Sequence, residues 1–213
     1  HQVLHYHIRS LRLNKIEKAE KIEGYDFSHF LNSLNILIKR KRPIKEIQQE
    51  FFLLEARSSR AYWKAFSRLF GELFFPGRQK RKARDPVNKL LNYGYALLSS
   101  LILKTMVLSS LDPAIPLLHH RKELLFPFLY DLMEPFRPIN DHIVISFLHK
   151  QKNPILNKYG EIKKSVLKRF RKFWFKAMGE SQPWSKSKKV IQESIKDLVE
   201  SYKKEVDKNK RRG

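Results

Sequence analysis

The chain contains no cysteine among its 213 residues, and glycine occurs only seven times. The absence of cysteine excludes disulfides, thiolate nucleophiles and cysteine-based zinc sites. Leucine and lysine are the most frequent residues, with 28 of each. Few glycines among so many good helix formers favour a mainly helical protein. We therefore predict an all-α fold with one domain over residues 1–213.

Acidic residues are also scarce relative to basic ones. Asp and Glu together number 21 against 44 Lys and Arg, which gives a net charge of +23. Such an excess points to a polyanionic partner, either nucleic acid or an anionic membrane surface. Uninterrupted apolar runs of membrane-spanning length are missing as well, since the most apolar stretch, 95–118, is broken by Lys104, Asp112 and two prolines. We expect a buried helix there and no membrane partner.

An acidic residue stands inside the most apolar part of a predicted helix over 44–70. Glu55 follows the run Phe51-Phe52-Leu53-Leu54. One interpretation is a salt bridge to Arg57 or Arg60. The other is a metal ligand, because burying a carboxylate is unfavourable without a cation. Spacing alone favours the salt bridge.

A basic loop is predicted over 71–85, where two glycines and a proline interrupt the helical pattern. It concentrates five positive charges in seven residues: Arg78, Lys80, Arg81, Lys82 and Arg84. Loops that hold nucleic acid need such charge to neutralise phosphates. The alternative is a mobile basic loop with no specific ligand.

The pair Asp85-Pro86 predicts the start of a long helix, with Asp85 as the N-cap. Asn88, Asn92, Tyr95 and Ser99 follow at helical spacing and form one polar line on an otherwise apolar helix. Such a line faces either solvent or a polar site.

Two further carboxylates and two histidines lie between 111 and 138. Asp131 and Glu134 are three residues apart and share a face if helical. Pro135 cannot donate a hydrogen bond to the carbonyl of Asp131, so we expect a kink there. His119 and His120 precede them. The plain alternative for the carboxylates is a helix-dipole interaction or an ion pair with Arg137.

Four blocks, in order, resemble the CRISPR-associated spacer-acquisition integrases. They are E-A-R-S-S-R-A-Y-W-K-A-F from Glu55, D-P-V-N-K-L-L-N-Y-G-Y-A-L-L from Asp85, L-D-P-A-I-P-L-L-H ending at His119, and L-Y-D-L-M-E-P-F-R-P from Leu129. They cover about residues 48–140. The flanking segments are then a helical lead over 1–47, basic helices over 141–180, and a basic helix and tail over 181–213.

The resemblance implies that Glu55, His119 and Glu134 are catalytic and hold a divalent metal, Mn²⁺ or Mg²⁺, with His120 as the alternative imidazole. It favours the metal-ligand interpretation of Glu55. We expect four polar residues around these ligands, namely Asp131, Asn88, Asn92 and Tyr95. The expected DNA-binding residues are Arg57, Arg78, Lys80, Arg81, Lys82, Arg84 and Arg137.

The implied activity is insertion of short DNA fragments into a CRISPR repeat array by 3′-hydroxyl transesterification. The first implied partner is DNA, as a short duplex donor and a repeat-array target. The second is another copy of the chain, in a dimer or higher oligomer. The third is the family's small partner protein (Cas-two), whose involvement the short N-terminus puts in doubt. The implied location is the cytoplasm of a prokaryote. The alternative functions are a non-catalytic, basic helical nucleic-acid-binding protein and a peripheral membrane protein.

The sequence departs from the family pattern in three places. Ser110 and Pro116 stand where the family has glycine in the third block. The β-rich domain that usually begins the family is not visible in the sequence, so either the sequence is truncated at its N-terminus or the protein is a naturally short form.

Overall fold

The computed structural model describes residues 21–22, 25–26, 36, 44–70, 74–114, 125–151, 154–179 and 191–210. In this part of the chain the helices are α1 (Ile44–Ser67), α2 (Pro86–Leu108), α3 (Pro127–Met133), α4 (Arg137–His149), α5 (Lys164–Gly179) and α6 (Ile191–Lys210). A 3₁₀ turn, Glu134–Phe136, separates α3 from α4. Strands β1 (Lys21–Ile22) and β2 (Tyr25–Asp26) pair antiparallel and have two residues each. The predicted helical fold class is confirmed.

The chain divides into two compact units, His1–Lys89 and Leu90–Gly213, and the boundary falls inside α2. The predicted single domain over 1–213 and its internal boundaries stay predictions. In the first unit, Tyr62, Ala65 and Phe66 of α1 are buried. The ring of Phe66 lies 5.1 Å from that of Phe75, which follows in the loop. An aromatic core therefore fixes the end of α1 against the loop.

The second unit is built around three helices with long apolar faces. α5 buries every fourth residue, namely Val166, Phe170, Trp174 and Met178. Phe147 of α4 meets Phe170 edge-to-face, with ring centroids 5.0 Å apart. The buried residues of α2 in this unit are Leu90, Leu91, Tyr95, Leu98, Ile102 and Met106. The aromatics of α5 thus form chiefly the buried side of an amphipathic helix, with its cations on the other faces.

Helix α2 is long and apolar enough to cross a membrane, by length and composition only. A core helix has the same properties. Leu98, Ile102 and Met106 are almost fully enclosed by the protein. The sequence prediction of a buried helix is therefore confirmed for these residues.

α2 ends in a left-handed turn at Ser110, whose φ is 56°. The amide of Ser110 donates to the carbonyl of Val107 at 3.0 Å, and that of Leu111 donates to Met106 at 2.9 Å. These two bonds define a Schellman motif, which usually places glycine at the left-handed position. A left-handed turn of this kind explains why the family pattern has glycine here. Ser110 adopts the left-handed conformation although it carries a Cβ.

Candidate metal and nucleic-acid site

Glu134 lies at the turn that Pro135 imposes between α3 and α4. Because proline has no amide hydrogen, the α-helical bond to the carbonyl of Asp131 cannot form, and the chain continues as a 3₁₀ turn. The predicted change of helix at Pro135 is confirmed. The Glu134 side chain keeps 20% of its surface exposed, so it is only partly enclosed by the protein.

Arg137 is the ion-pair partner of Glu134. Its Nε lies 2.7 Å from Oε1 of Glu134. The Nε–H has no acceptor aligned with it among the described residues, so this contact is electrostatic rather than a well-directed hydrogen bond. The Arg137 guanidinium also lies over the ring of Tyr95, 5.1 Å from its centroid. The ion pair predicted as the plain alternative therefore forms.

Behind Arg137, the Tyr95 hydroxyl donates a hydrogen bond to Oδ1 of Asp141 at 2.5 Å. Asp141 is 1% exposed. Burial by itself lowers the pKa of Arg137. The neighbouring Glu134, Tyr95 and Asp141 together raise this pKa by more than burial lowers it, so the net direction is upward from the ordinary value. Arg137 is therefore a permanent cation between two acidic side chains.

The side chains of the other predicted ligands lie outside the described residues. Glu55 lies on α1, and its side chain is outside the described residues, as are His119 and His120. The amide of Phe128 donates to the carbonyl of Pro113 at 3.2 Å, so the backbone on either side of the His119 segment is tied together beside α3. Among the described side chains, no three of His, Asp and Glu come together at metal-binding spacing. The three-ligand site stays a prediction.

Asp131 and Asn92, both expected near the ligands, are half-buried in the second unit. Asp131 lies on α3, one turn before Glu134. Asn92 lies on α2, three residues before Tyr95. Their expected role beside a metal stays a prediction.

Asn88 has a different set of partners, because it holds the basic loop onto the start of α2. Its Oδ1 accepts from Nη1 of Arg78 at 3.0 Å and from the amide of Gln79 at 2.8 Å. Its Nδ2 donates to the carbonyl of Gly77 at 2.7 Å and to Oδ2 of Asp85 at 2.8 Å. The amide of Asn88 donates to Oδ1 of Asp85 at 2.7 Å, which confirms the predicted N-cap. The oxygen and the nitrogen of the buried Asn88 side-chain amide therefore both bond the basic loop or the N-cap residue Asp85.

The cations of the basic loop fall into two groups. Arg78 bonds Asn88 and lies over the Trp63 ring at 5.6 Å, so it belongs to the packed part of the loop. The remaining cations project from the surface: Lys80, Arg81, Lys82 and Arg84. Arg57 is exposed on α1. Their predicted contact with DNA stays a prediction.

Sequence reasoning missed Asp141 and its neighbour Asn140. Both are 1% exposed on α4. Oδ1 of Asn140 accepts a hydrogen bond from Nε1 of Trp174 at 3.0 Å. Two adjacent polar residues inside an otherwise apolar helix were the signal that could have identified them. Asp141 also comes four residues after Arg137, which places both on the same face of the helix.

Two solved structures share this helical fold. A casposase bound to integration product superposes with a TM-score of 0.72 at 20% identity, over 93% of this chain and 57% of that one. A chain of a Cas6-RT-Cas1–Cas2 complex superposes with a TM-score of 0.70 at 16% identity, over 95% of this chain and 23% of that one. The fold is therefore one found in proteins of the Cas1 and casposase type.

The family model described as CRISPR associated protein Cas1 matches residues 4–171, and the chain belongs to that family. A relative named CRISPR-associated endonuclease Cas1, from Korarchaeum cryptofilum, is 37% identical over 110 residues, which are 49% of this chain and 32% of the relative. The chain thus spans about a third of the length of this curated relative.

Proposed function

We propose that this chain forms the helical catalytic part of a metal-dependent DNA integrase and endonuclease, which inserts short DNA fragments into a CRISPR repeat array. The observation that carries the proposal is the family match over residues 4–171, which contains Glu55, His119 and Glu134. The solved neighbours include a casposase bound to integration product and a complex that contains Cas2. The net charge of +23 suits a DNA ligand.

The donor chemistry of the three residues fits a divalent cation. Two carboxylates supply the oxygen ligands that Mg²⁺ and Mn²⁺ prefer, and a neutral imidazole moves the preference toward Mn²⁺. Glu134 fits this role because its side chain is partly exposed at a helix junction. When bound, the cation would stabilise charge on the scissile phosphate and lower the pKa of the attacking hydroxyl.

The reaction is a transesterification. The 3′-hydroxyl oxygen of the donor fragment forms a bond to the phosphorus of the target, and the bond from that phosphorus to the 3′-oxygen of the target strand breaks. The attacking hydroxyl loses a proton and the leaving oxygen gains one, so one phosphodiester replaces another without ATP. Water as the attacking group gives endonuclease activity.

The surface cations of the basic loop and Arg57 bind the DNA backbone in this scheme. Phosphate contacts position DNA without reading its sequence, so target choice depends partly on how easily the DNA bends. Insertion of both fragment ends needs two active sites, which calls for a dimer or higher oligomer. The small partner protein Cas2 would join that assembly in the cytoplasm of a prokaryotic cell.

The proposal is tested by strand transfer. The purified protein is mixed with a labelled duplex bearing 3′-hydroxyl ends, a supercoiled plasmid carrying a repeat array, and Mn²⁺ or Mg²⁺, with and without the small partner protein. Glu134→Gln keeps the shape of the side chain and removes its charge. Glu193→Gln makes the same change at an exposed position on α6 and serves as the matched control.

We expect metal-dependent joining that is abolished by Glu134→Gln and His119→Ala and unchanged by Glu193→Gln. No joining under any condition, together with salt-sensitive DNA binding, would contradict the proposal. That result would identify a non-catalytic nucleic-acid-binding protein instead.

A further inference from the structure

A continuous polar chain connects a fully buried acid to Glu134. Oδ1 of Asp141 accepts from the Tyr95 hydroxyl, the Tyr95 ring lies 5.1 Å from the Arg137 guanidinium carbon, and Nε of Arg137 lies 2.7 Å from Oε1 of Glu134. Three structural elements contribute: Tyr95 from α2, Arg137 and Asp141 from α4, and Glu134 from the turn between α3 and α4. The chain begins in the core and ends at a partly exposed carboxylate.

The simplest explanation is a clamp between α2 and α4. A bond between Tyr95 and Asp141 spans 46 residues of sequence and joins the two helices. A buried carboxylate is a poor way to achieve this, because taking the charge out of water is costly and an apolar pair of similar size serves as well or better. A clamp alone therefore does not explain an acid that is 1% exposed at this position.

The position of Arg137 supplies the missing reason. Arginine contributes a planar guanidinium that can contact an aromatic face and a carboxylate at once. Without Asp141, that cation would have one acidic neighbour, Glu134, and would be drawn toward it or toward solvent. Asp141, one helical turn further along α4, adds a second negative charge that attracts this cation, and the guanidinium lies over the Tyr95 ring.

We propose that Tyr95, Arg137 and Asp141 are positioning residues, which hold the Glu134 carboxylate in the orientation in which it binds a divalent cation. The inference rests on the proposed function, in which Glu134 is a ligand. Arg137 engages Oε1. It thereby restricts rotation of the carboxylate. Hydrogen-bonded or ion-paired partners of this kind tune metal ligands in many proteins, and their loss weakens metal affinity about 10–100-fold.

Two substitutions test the chain without changing its net charge. Tyr95→Phe keeps the ring beneath Arg137 and removes the hydroxyl that bonds Asp141. Arg137→Lys keeps the positive charge and removes the planar group. The matched controls are Tyr93→Phe, which alters a tyrosine on the same helix packed against Phe170, and Arg169→Lys, which alters an exposed arginine bonded to Gln151.

The readout is Mn²⁺ affinity, measured from loss of the free Mn²⁺ signal in electron paramagnetic resonance, with no DNA present. Thermal unfolding of each variant is followed in parallel. We expect Tyr95→Phe and Arg137→Lys to weaken Mn²⁺ binding about tenfold or more. We expect both control variants to bind as the wild type does.

The outcomes separate this inference from the proposed function. If Glu134→Gln abolishes Mn²⁺ binding while Tyr95→Phe and Arg137→Lys bind normally, Glu134 is a ligand and the positioning chain is wrong. A lowered melting temperature in those two variants with unchanged affinity would identify a helix clamp only. If Glu134→Gln binds Mn²⁺ like the wild type, both proposals fail together.

Discussion

The indole Nε1 of Trp174 donates a hydrogen bond of 3.0 Å to Oδ1 of Asn140, which fixes the orientation of a buried amide at the centre of the second unit. The same oxygen lies against Gly94 of α2: a Cβ built on this glycine would be 2.1 Å from Oδ1. Real atoms do not approach so closely. The close contact between α2 and α4 therefore depends on glycine at this position.

Replacing Gly94 with alanine should destabilise the protein strongly. The new methyl group must displace Asn140, whose oxygen is held by Trp174. Overpacking of this kind typically lowers the free energy of unfolding by about 1–3 kcal/mol, and loss of the buried hydrogen bond adds about 1–3 kcal/mol. Chemical denaturation of Gly94→Ala should show the loss.

The control for this change is Gly179→Ala at the end of α5, where a Cβ meets nothing within 4 Å. That variant should be as stable as the wild type or slightly more so, since alanine is the better helix former. Equal stability of Gly94→Ala and Gly179→Ala would show that the α2–α4 contact is looser than described.

Ser110→Gly should stabilise the protein. Ser110 has a φ of 56°, a conformation that is unfavourable for residues with a Cβ by roughly 1–2 kcal/mol. Glycine removes this strain but increases the entropy of the unfolded chain, which offsets about 0.4–1 kcal/mol of it. The net expectation is a gain between zero and about 1.6 kcal/mol, seen as a higher denaturation midpoint.

Ser100→Gly makes the same chemical change in the middle of α2, where Ser100 is exposed. It should lower the free energy of unfolding by about 0.5 kcal/mol, because glycine is the poorer helix former. A loss of stability in both variants would mean that the Schellman turn is not strained.

Local signals in the sequence predicted the helix boundaries well. Asp85-Pro86 predicts the start of α2 and Pro135 predicts the turn after α3, because each acts through its own backbone or cap. The ion pair of Glu134 with Arg137 is also local, since three residues separate them. Contacts of this range can be inferred from spacing.

The polar line on α2 shows what spacing leaves open. Asn88 and Tyr95 follow each other at helical intervals, yet Asn88 bonds the basic loop and Tyr95 bonds Asp141. Periodicity predicts which side chains share a face, but the partner of each depends on tertiary packing. The same holds for Asp141, whose bond to Tyr95 spans 46 residues.

His142 should make stability depend on pH. Burial lowers its pKa below the ordinary value of 6.5. Between the folded and unfolded pKa values, the unfolded chain binds a proton that the folded chain does not. Above about pH 6.5, His142 therefore causes no loss in the free energy of unfolding. As the pH falls from that value toward the lower pKa of the folded state, the free energy of unfolding declines. Denaturation at a series of pH values measures the decline.

His142→Gln removes this titration, so the variant should lose less stability than the wild type between pH 8 and pH 5.5. Nuclear magnetic resonance gives a direct check, because the His142 ring signal should titrate with a midpoint below 6.5. A midpoint above that value would contradict the expected effect of burial.

Asn88→Ala should release the basic loop. It removes the acceptor for Arg78 and Gln79 and the donor to Gly77, which together hold the loop onto α2. Trypsin cleaves after Lys and Arg, so the surface cations between Lys80 and Arg84 report the loop's accessibility. We expect native-state cleavage in this segment to rise several-fold, whereas Asn157→Ala, which disturbs a separate turn closed by its own side chain, should leave it unchanged. Unaltered cleavage in Asn88→Ala would mean that the loop is held by the Arg78–Trp63 contact instead.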